Sequence, residues 1–125
     1  MKLLHIVSTK SSPEIIFDDQ EQKLFIKGIC TPENPIHFFQ PVVDIIEEHL
    51  ANHNKLVIDI YLDYFNTGSS KCLLNLFTKV ANTSSDVKSN TVVNWIVDED
   101  DSELKEAGEV FEEITGLKFN YVSQN

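Results

Sequence analysis

Apolar positions along this chain recur with two periods, and the switches between them mark out the elements. Glu14–Asp18 and Lys23–Cys30 alternate apolar and polar residues on either side of the polar Asp19–Gln22. That pattern predicts a β-hairpin. In Thr31-Pro32-Glu33-Asn34-Pro35, Asn34 can cap a helix and Pro35 can take its first position. Behind it Phe39, Val42, Val43, Ile46 and Leu50 are spaced as one helical face, which ends in the breaker-rich Ala51–Asn54. Lys55–Leu62 is apolar on both faces apart from Asp59, as expected of a doubly covered central strand. A second helix should follow Asn66-Thr67-Gly68, with Leu73, Leu76, Phe77 and Val80 inward and an end near Asn82–Asp86. Thr91–Val97 reads as the next strand. The acidic Asp98–Asp101 leads into a third helix with Leu104, Ala107, Phe111 and Ile114 inward and Gly116 just past its end. Leu117–Val122 closes the order β-β-α-β-α-β-α-β.

That order predicts an α/β fold: a small mixed sheet with an antiparallel hairpin first and parallel, right-handed crossovers after it. With no repeat, low-complexity tract or Gly/Pro-rich linker, residues 1–125 are expected to form a single domain. Sheets of this kind place ligands at the carboxyl ends of their strands. The most unusual strand end is Asp63–Lys71, where Thr67, Ser69 and Ser70 sit at a helix start behind the aromatics Tyr64 and Phe65. These hydroxyls have two readings. A helix N-terminus welcomes phosphate, so they can form a phosphoacceptor or anion site, with Lys71 placed to pair with added phosphate. Asn, Ser and Thr are equally the commonest helix caps and need no further role.

Other chemistry is weakly supported. Gly68-Ser69-Ser70-Lys71 superficially suggests a nucleotide loop, but GxxxxGK[ST] and GxGxxG are absent from a chain with four glycines. His49 and His53 share a helix face yet fall short of the three or four ligands a metal requires. His5 and His37 have no evident partner in sequence. Asp98–Asp101 lacks the central Gly and terminal Glu of an EF-hand loop, and acids before a helix are ordinary dipole partners. GxSxG is missing, neither Cys adjoins a His, and Glu47–Glu48 and Glu112–Glu113 read as solvated helix faces. No catalytic residue, cofactor or metal is expected.

Charge narrows the partners. Twenty acidic residues against ten basic ones give −10, which argues against nucleic acid and anionic membrane surfaces. The N-terminal apolar stretch is too short for a signal or spanning segment, and Cys30 and Cys72 form no CxxC pair. A soluble, cytoplasmic protein is expected.

Three segments carry a resemblance. Leu4–Pro13 with the hairpin behind it, Gly28–Asn34 with its Gly-x-x-x-Pro-Glu-Asn pattern, and Leu62–Leu74 around Tyr64-Phe65-Asn66-Thr67, together with Trp95, resemble the SiaC family of regulatory phosphoproteins. That family is related to the STAS-type anti-sigma-factor antagonists. Gly68 departs from it, standing where the family usually has Ser. The resemblance implies a STAS-like fold and a non-enzymatic switch in which the Thr of the Asn-Thr element, Thr67 here, is phosphorylated by a cognate ATP-dependent serine/threonine kinase. A PPM-type phosphatase removes the phosphate, and the unphosphorylated form binds and activates a diguanylate cyclase, raising cyclic di-GMP. Thr67 is then the phosphate site, with Ser69 and Ser70 as alternatives. Asp63, Tyr64, Phe65, Asn66, Gly68 and Lys71 form the surrounding interface, and Pro32, Glu33 and Asn34 the second motif. A STAS-like domain that binds a small molecule or nucleotide is the competing reading.

Overall fold

The computed structural model describes residues 3–124. Its elements are β1 (Leu3–Ile6), β2 (Glu14–Asp18), β3 (Lys23–Cys30), α1 (Pro35–Leu50), β4 (Val57–Phe65), α2 (Thr67–Ala81), α3 (Ser85–Asn90), β5 (Val92–Asp98), α4 (Ser102–Thr115) and β6 (Lys118–Gln124). The strands form one six-stranded sheet in sequence order. β1–β2 and β2–β3 pair antiparallel, and β3–β4, β4–β5 and β5–β6 pair parallel. The mixed α/β architecture and the hairpin are those the sequence predicts.

Sequential order with right-handed crossovers puts α1, α2 and α4 on one face. α1 packs on α2, and α2 on α4. Beneath them Phe17, Leu24, Ile58, Val93 and Phe119 form one buried row of paired strand residues, and Ile15, Ile26, Ile60 and Trp95 the next. Among the described residues the opposite sheet face has no helical layer. It carries half-buried Phe25, Val57 and Tyr61 and a polar ladder in which Lys23 approaches Asp59 at 3.3 Å and the Asn94 amide donates to Asp59 at 2.7 Å. β4 is therefore central but covered on one side only, because its residues alternate buried and half-buried.

Four further details depart from the sequence pattern. β1 is an additional edge strand held by β2. The short helix α3, capped by Ser84, follows α2. β4 continues past Leu62 to Phe65, so Asp63, Tyr64 and Phe65 belong to a strand end. On α4 Phe111 is buried with Gly108 and Thr115, and Leu104 and Ala107 pack half-buried against the core as predicted, whereas Ile114 is 60 % exposed. The other predicted helix faces hold: Phe39, Val42, Val43, Ile46 and Leu50 on α1, and Leu73, Leu76, Phe77 and Val80 on α2, are all buried.

Candidate functional site

The parallel strands β3 and β4 end side by side, with Ile29 opposite Tyr64 and Cys30 opposite Phe65. Their register shifts between Gly28 and Ile29, and Asp63 is the unopposed residue. Such a bulge re-aims the strand end. Phe65 turns in toward the rings of Trp95 (6.3 Å) and Phe111 (6.2 Å). Tyr64 is left 58 % exposed.

Each strand then feeds a helix capped by Asn. Asn34 Oδ1 accepts the His37 N–H at 3.1 Å, with Pro35 at the first helical position. Asn66 Oδ1 accepts the Ser69 N–H at 2.9 Å. The Asn66 N–H donates to the Cys30 carbonyl at 3.4 Å, tying the start of α2 to the end of β3. The two helix starts abut: a Cβ on Gly68 would lie 3.3 Å from Pro35 Cγ. The Pro-Glu-Asn and Asn-Thr elements are thus the caps of neighbouring helices, with Pro32 buried and Glu33 and Asn34 exposed. Thr31 binds the preceding loop to this corner, its N–H donating to the Ser11 carbonyl at 2.7 Å.

The three hydroxyls meet different surroundings. Thr67, at the first position of α2, is exposed; Ser70 is half-buried. Ser69, offered by the sequence as an alternative to Thr67, is fully buried, so its hydroxyl is out of a transferase's reach in this fold. Its side chain points from the third helical position toward β3, and its Oγ approaches the Cys30 thiol without the geometry of a full hydrogen bond. Burial pushes that thiol up to about 11, with the Ser69 hydroxyl opposing the shift and Cys72 adding to it. Lys71 is exposed one turn beyond Thr67. Neither α1 nor α2 has an acidic residue in its first turn. The positive helix ends are thus uncompensated where they meet.

The remaining candidates are structural. The His49 imidazole Nε2–H donates to the Lys55 carbonyl at 3.0 Å, and His53 Nδ1–H donates to the His49 carbonyl at 3.1 Å. The two rings stack 4.5 Å apart. Both therefore close the end of α1. Asp101 caps α4 by accepting the Leu104 N–H at 3.1 Å, and Asp98 accepts from the Tyr61 hydroxyl. Among the described residues no group of three or more His, Cys, Asp or Glu is placed to hold a metal. Sequence reasoning missed Ile29 and Ile36, 40 % and 72 % exposed beside the junction. Ile36 sits three residues before Phe39, so its spacing continued the apolar stripe past the core, and that excess was the available signal.

A mixed sheet with its helices on one face and its candidate site at paired strand-to-helix caps is a STAS-like α/β domain. The chain belongs to the SiaC family of regulatory phosphoproteins, whose family model matches residues 6–124. It is 30% identical over 120 residues to an uncharacterized protein of Pseudomonas aeruginosa strain UCBPP-PA14, covering 95% of this chain and 94% of that one. SiaC of Pseudomonas aeruginosa superposes with a TM-score of 0.88 at 30% identity, over 99% of this chain and 100% of that one. A second structure of that protein, in complex with the diguanylate cyclase SiaD that it activates, gives a TM-score of 0.89 at 29% identity, over 97% of this chain and 99% of the other. The protein is accordingly a non-catalytic regulator. No helix among the described residues is long and apolar enough to cross a membrane.

Proposed function

We propose that this chain, acting as one domain in the cytoplasm, is a charge-gated partner switch whose reversible phosphate is carried by Thr67. A cognate serine/threonine kinase transfers the γ-phosphoryl of MgATP to Thr67 Oγ, releasing ADP and a proton. A PPM-type phosphatase hydrolyses the ester back to the hydroxyl and inorganic phosphate. The unphosphorylated form binds and regulates a diguanylate cyclase, as a relative of the same fold is found in complex with one.

The observation that carries this reading is the placement of Thr67: exposed, at the first position of α2, in a helix start already capped by Asn66. Because Asn66 satisfies the Ser69 N–H, the Thr67 hydroxyl is not needed as a cap. Added phosphate brings about −1.5 to −2 charge at pH 7. The uncompensated helix start tolerates it, so the fold survives. A docked partner does not: a dianion buried against Tyr64, only partly balanced by the single charge of Lys71, loses several kcal/mol of binding, and Asp63 adds repulsion.

Two measurements test this. Incubation with the kinase and MgATP should add about 80 Da, the mass of one phosphoryl group, to the wild-type chain and nothing to Thr67→Ala. Thr67→Ala should retain the cyclase in a pull-down and Thr67→Asp should lose it. Labelling that persists in Thr67→Ala moves the phosphate to Ser70, and equal recovery by both variants removes the charge gate.

A further inference from the structure

Between α1 and α2 lies a groove of 360 Å³ that opens beside the Thr67 corner. Its α1 wall carries Ile36, Phe39 and Val43, and its α2 wall Lys71, Cys72 and Lys79. Phe39, Val43 and Cys72 are buried, forming an apolar floor, whereas Ile36 stands 72 % exposed at the upper rim. Glu47 also lines the far end. From Ile36 to Glu47 the α1 wall spans about 16 Å, three helical turns. Neither Lys71 nor Lys79 forms an ion pair among the described residues. These two ammonium groups are conspicuous on a chain of net charge −10.

We infer that this groove is the seat of an acidic amphipathic helix from the partner protein, laid along α1 and α2 with its apolar stripe on Phe39, Val43 and Cys72 and its carboxylates on Lys71 and Lys79. The inference rests on the partner-switch reading for its biological role and specifies which surface the switch controls. Length, apolar floor and flanking charge all match a helix docked in a groove. The two lysines stand two turns apart, about 12 Å along α2, so they suit acids spaced along a helix better than one small anion. Lys71 is also four residues beyond Thr67, within reach of a phosphate there. Phosphorylation would therefore occupy the upper lysine and place negative charge at the groove mouth, opposing an acidic helix twice over.

The test uses a designed 18-residue helical peptide with a leucine stripe flanked by glutamates, and a twin carrying lysines in their place. The full-length chain is titrated with each, by fluorescence anisotropy and by amide chemical shifts. The acidic peptide should bind roughly tenfold more tightly than its twin, about the reach of two rim charge pairs, with shifts confined to α1 and α2. Lys71→Glu/Lys79→Glu should invert that preference, with each single variant intermediate; both positions are exposed, so folding is retained and far-UV circular dichroism checks it. Lys118→Glu, on β6 away from the groove, should leave the preference unchanged. Equal affinity for the two peptides, no binding at millimolar concentration, shifts on the open sheet face, or displacement of the peptide by ATP or cyclic di-GMP would each overturn the assignment. If the peptide behaves as expected but Thr67→Ala and Thr67→Asp bind it equally, the groove stands and the charge gate fails. If those variants still discriminate a cyclase while the groove variants do not, the gate stands and the groove fails.

Discussion

Trp95 lies against the bare backbone of Gly108. A Cβ at position 108 would come within 2.7 Å of the indole Cδ1 and Nε1. The same indole N–H donates to the Leu104 carbonyl at 2.8 Å, one turn earlier on α4. Helix and ring are thus fixed together, and α4 is turned so that its closest approach to the sheet is made by its smallest residue. Gly108→Ala should therefore destabilise the fold by about 1–2 kcal/mol, overpacking outweighing the roughly 1 kcal/mol that alanine gains in a helix. The check is urea unfolding followed by Trp95 fluorescence: the midpoint falls while the slope stays the same.

The orientation of α4 makes a second prediction. Phe111 is buried against Phe77 (5.5 Å) and Trp95 (5.7 Å), whereas Ile114 is 60 % exposed. Phe111→Ala should cost about 3–5 kcal/mol and Ile114→Ala less than about 0.5 kcal/mol. Comparable losses at both positions, read from chemical denaturation, would mean that α4 is rolled about its axis.

These cases show why parts of the structure were legible in sequence and others were not. α1 and α2 carry broad apolar faces and an Asn at the correct point before each start, so spacing and caps agree. On α4, Leu104, Ala107, Phe111 and Ile114 satisfy helical spacing, yet the true face includes Gly108 and Thr115, which an apolar pattern cannot register. β1 exists through its pairing with β2, and four residues at a sheet edge give too little alternation to be read. The strand reading stopped at Leu62 because the bulged Asp63 breaks alternation, though the ladder resumes with Tyr64 and Phe65. At the candidate site the caps and the exposed threonine position were legible. The burial of Ser69 was not, since it depends on Cys30 of another strand lying beneath the first turn of α2. Nor was the groove, which arises only when two helices separated in sequence pack side by side.

Alkaline stability should depend on Cys30. Its thiol lies at about 11 in the folded chain against an ordinary value of 9.0, chiefly through burial. Below the ordinary value both states hold the proton and the contribution is present in full. As pH rises the unfolded chain ionises first, so stability declines through pH 9.0 to about 11 and that contribution is then lost. The loss should approach roughly 3 kcal/mol. Tyr61, raised by its hydrogen bond to Asp98, and Tyr121, raised by burial and then Glu112, shift in the same direction and add to the decline. Urea titrations from pH 8 to 11 on wild type and Cys30→Ala separate the terms: the variant should start less stable but fall less steeply. Parallel curves would show that the thiol titrates normally.

The corner at Asn66 and Thr67 distinguishes a switch acting through charge from one acting through unfolding. Asn66→Ala removes the acceptor for the Ser69 N–H and should cost about 1 kcal/mol. Thr67→Asp adds a carboxylate to a helix start that has no acid in its first turn, and should leave stability unchanged or raise it by about 0.3–1 kcal/mol. Circular dichroism and thermal unfolding of the two variants check both signs. If Thr67→Asp instead lowered stability as much as Asn66→Ala does, loss of a partner on modification would follow from a frayed α2, and repulsion at the surface would not be needed to explain it. A stable Thr67→Asp domain that releases its partner requires the opposite conclusion: the interface reads the charge while the caps hold the fold.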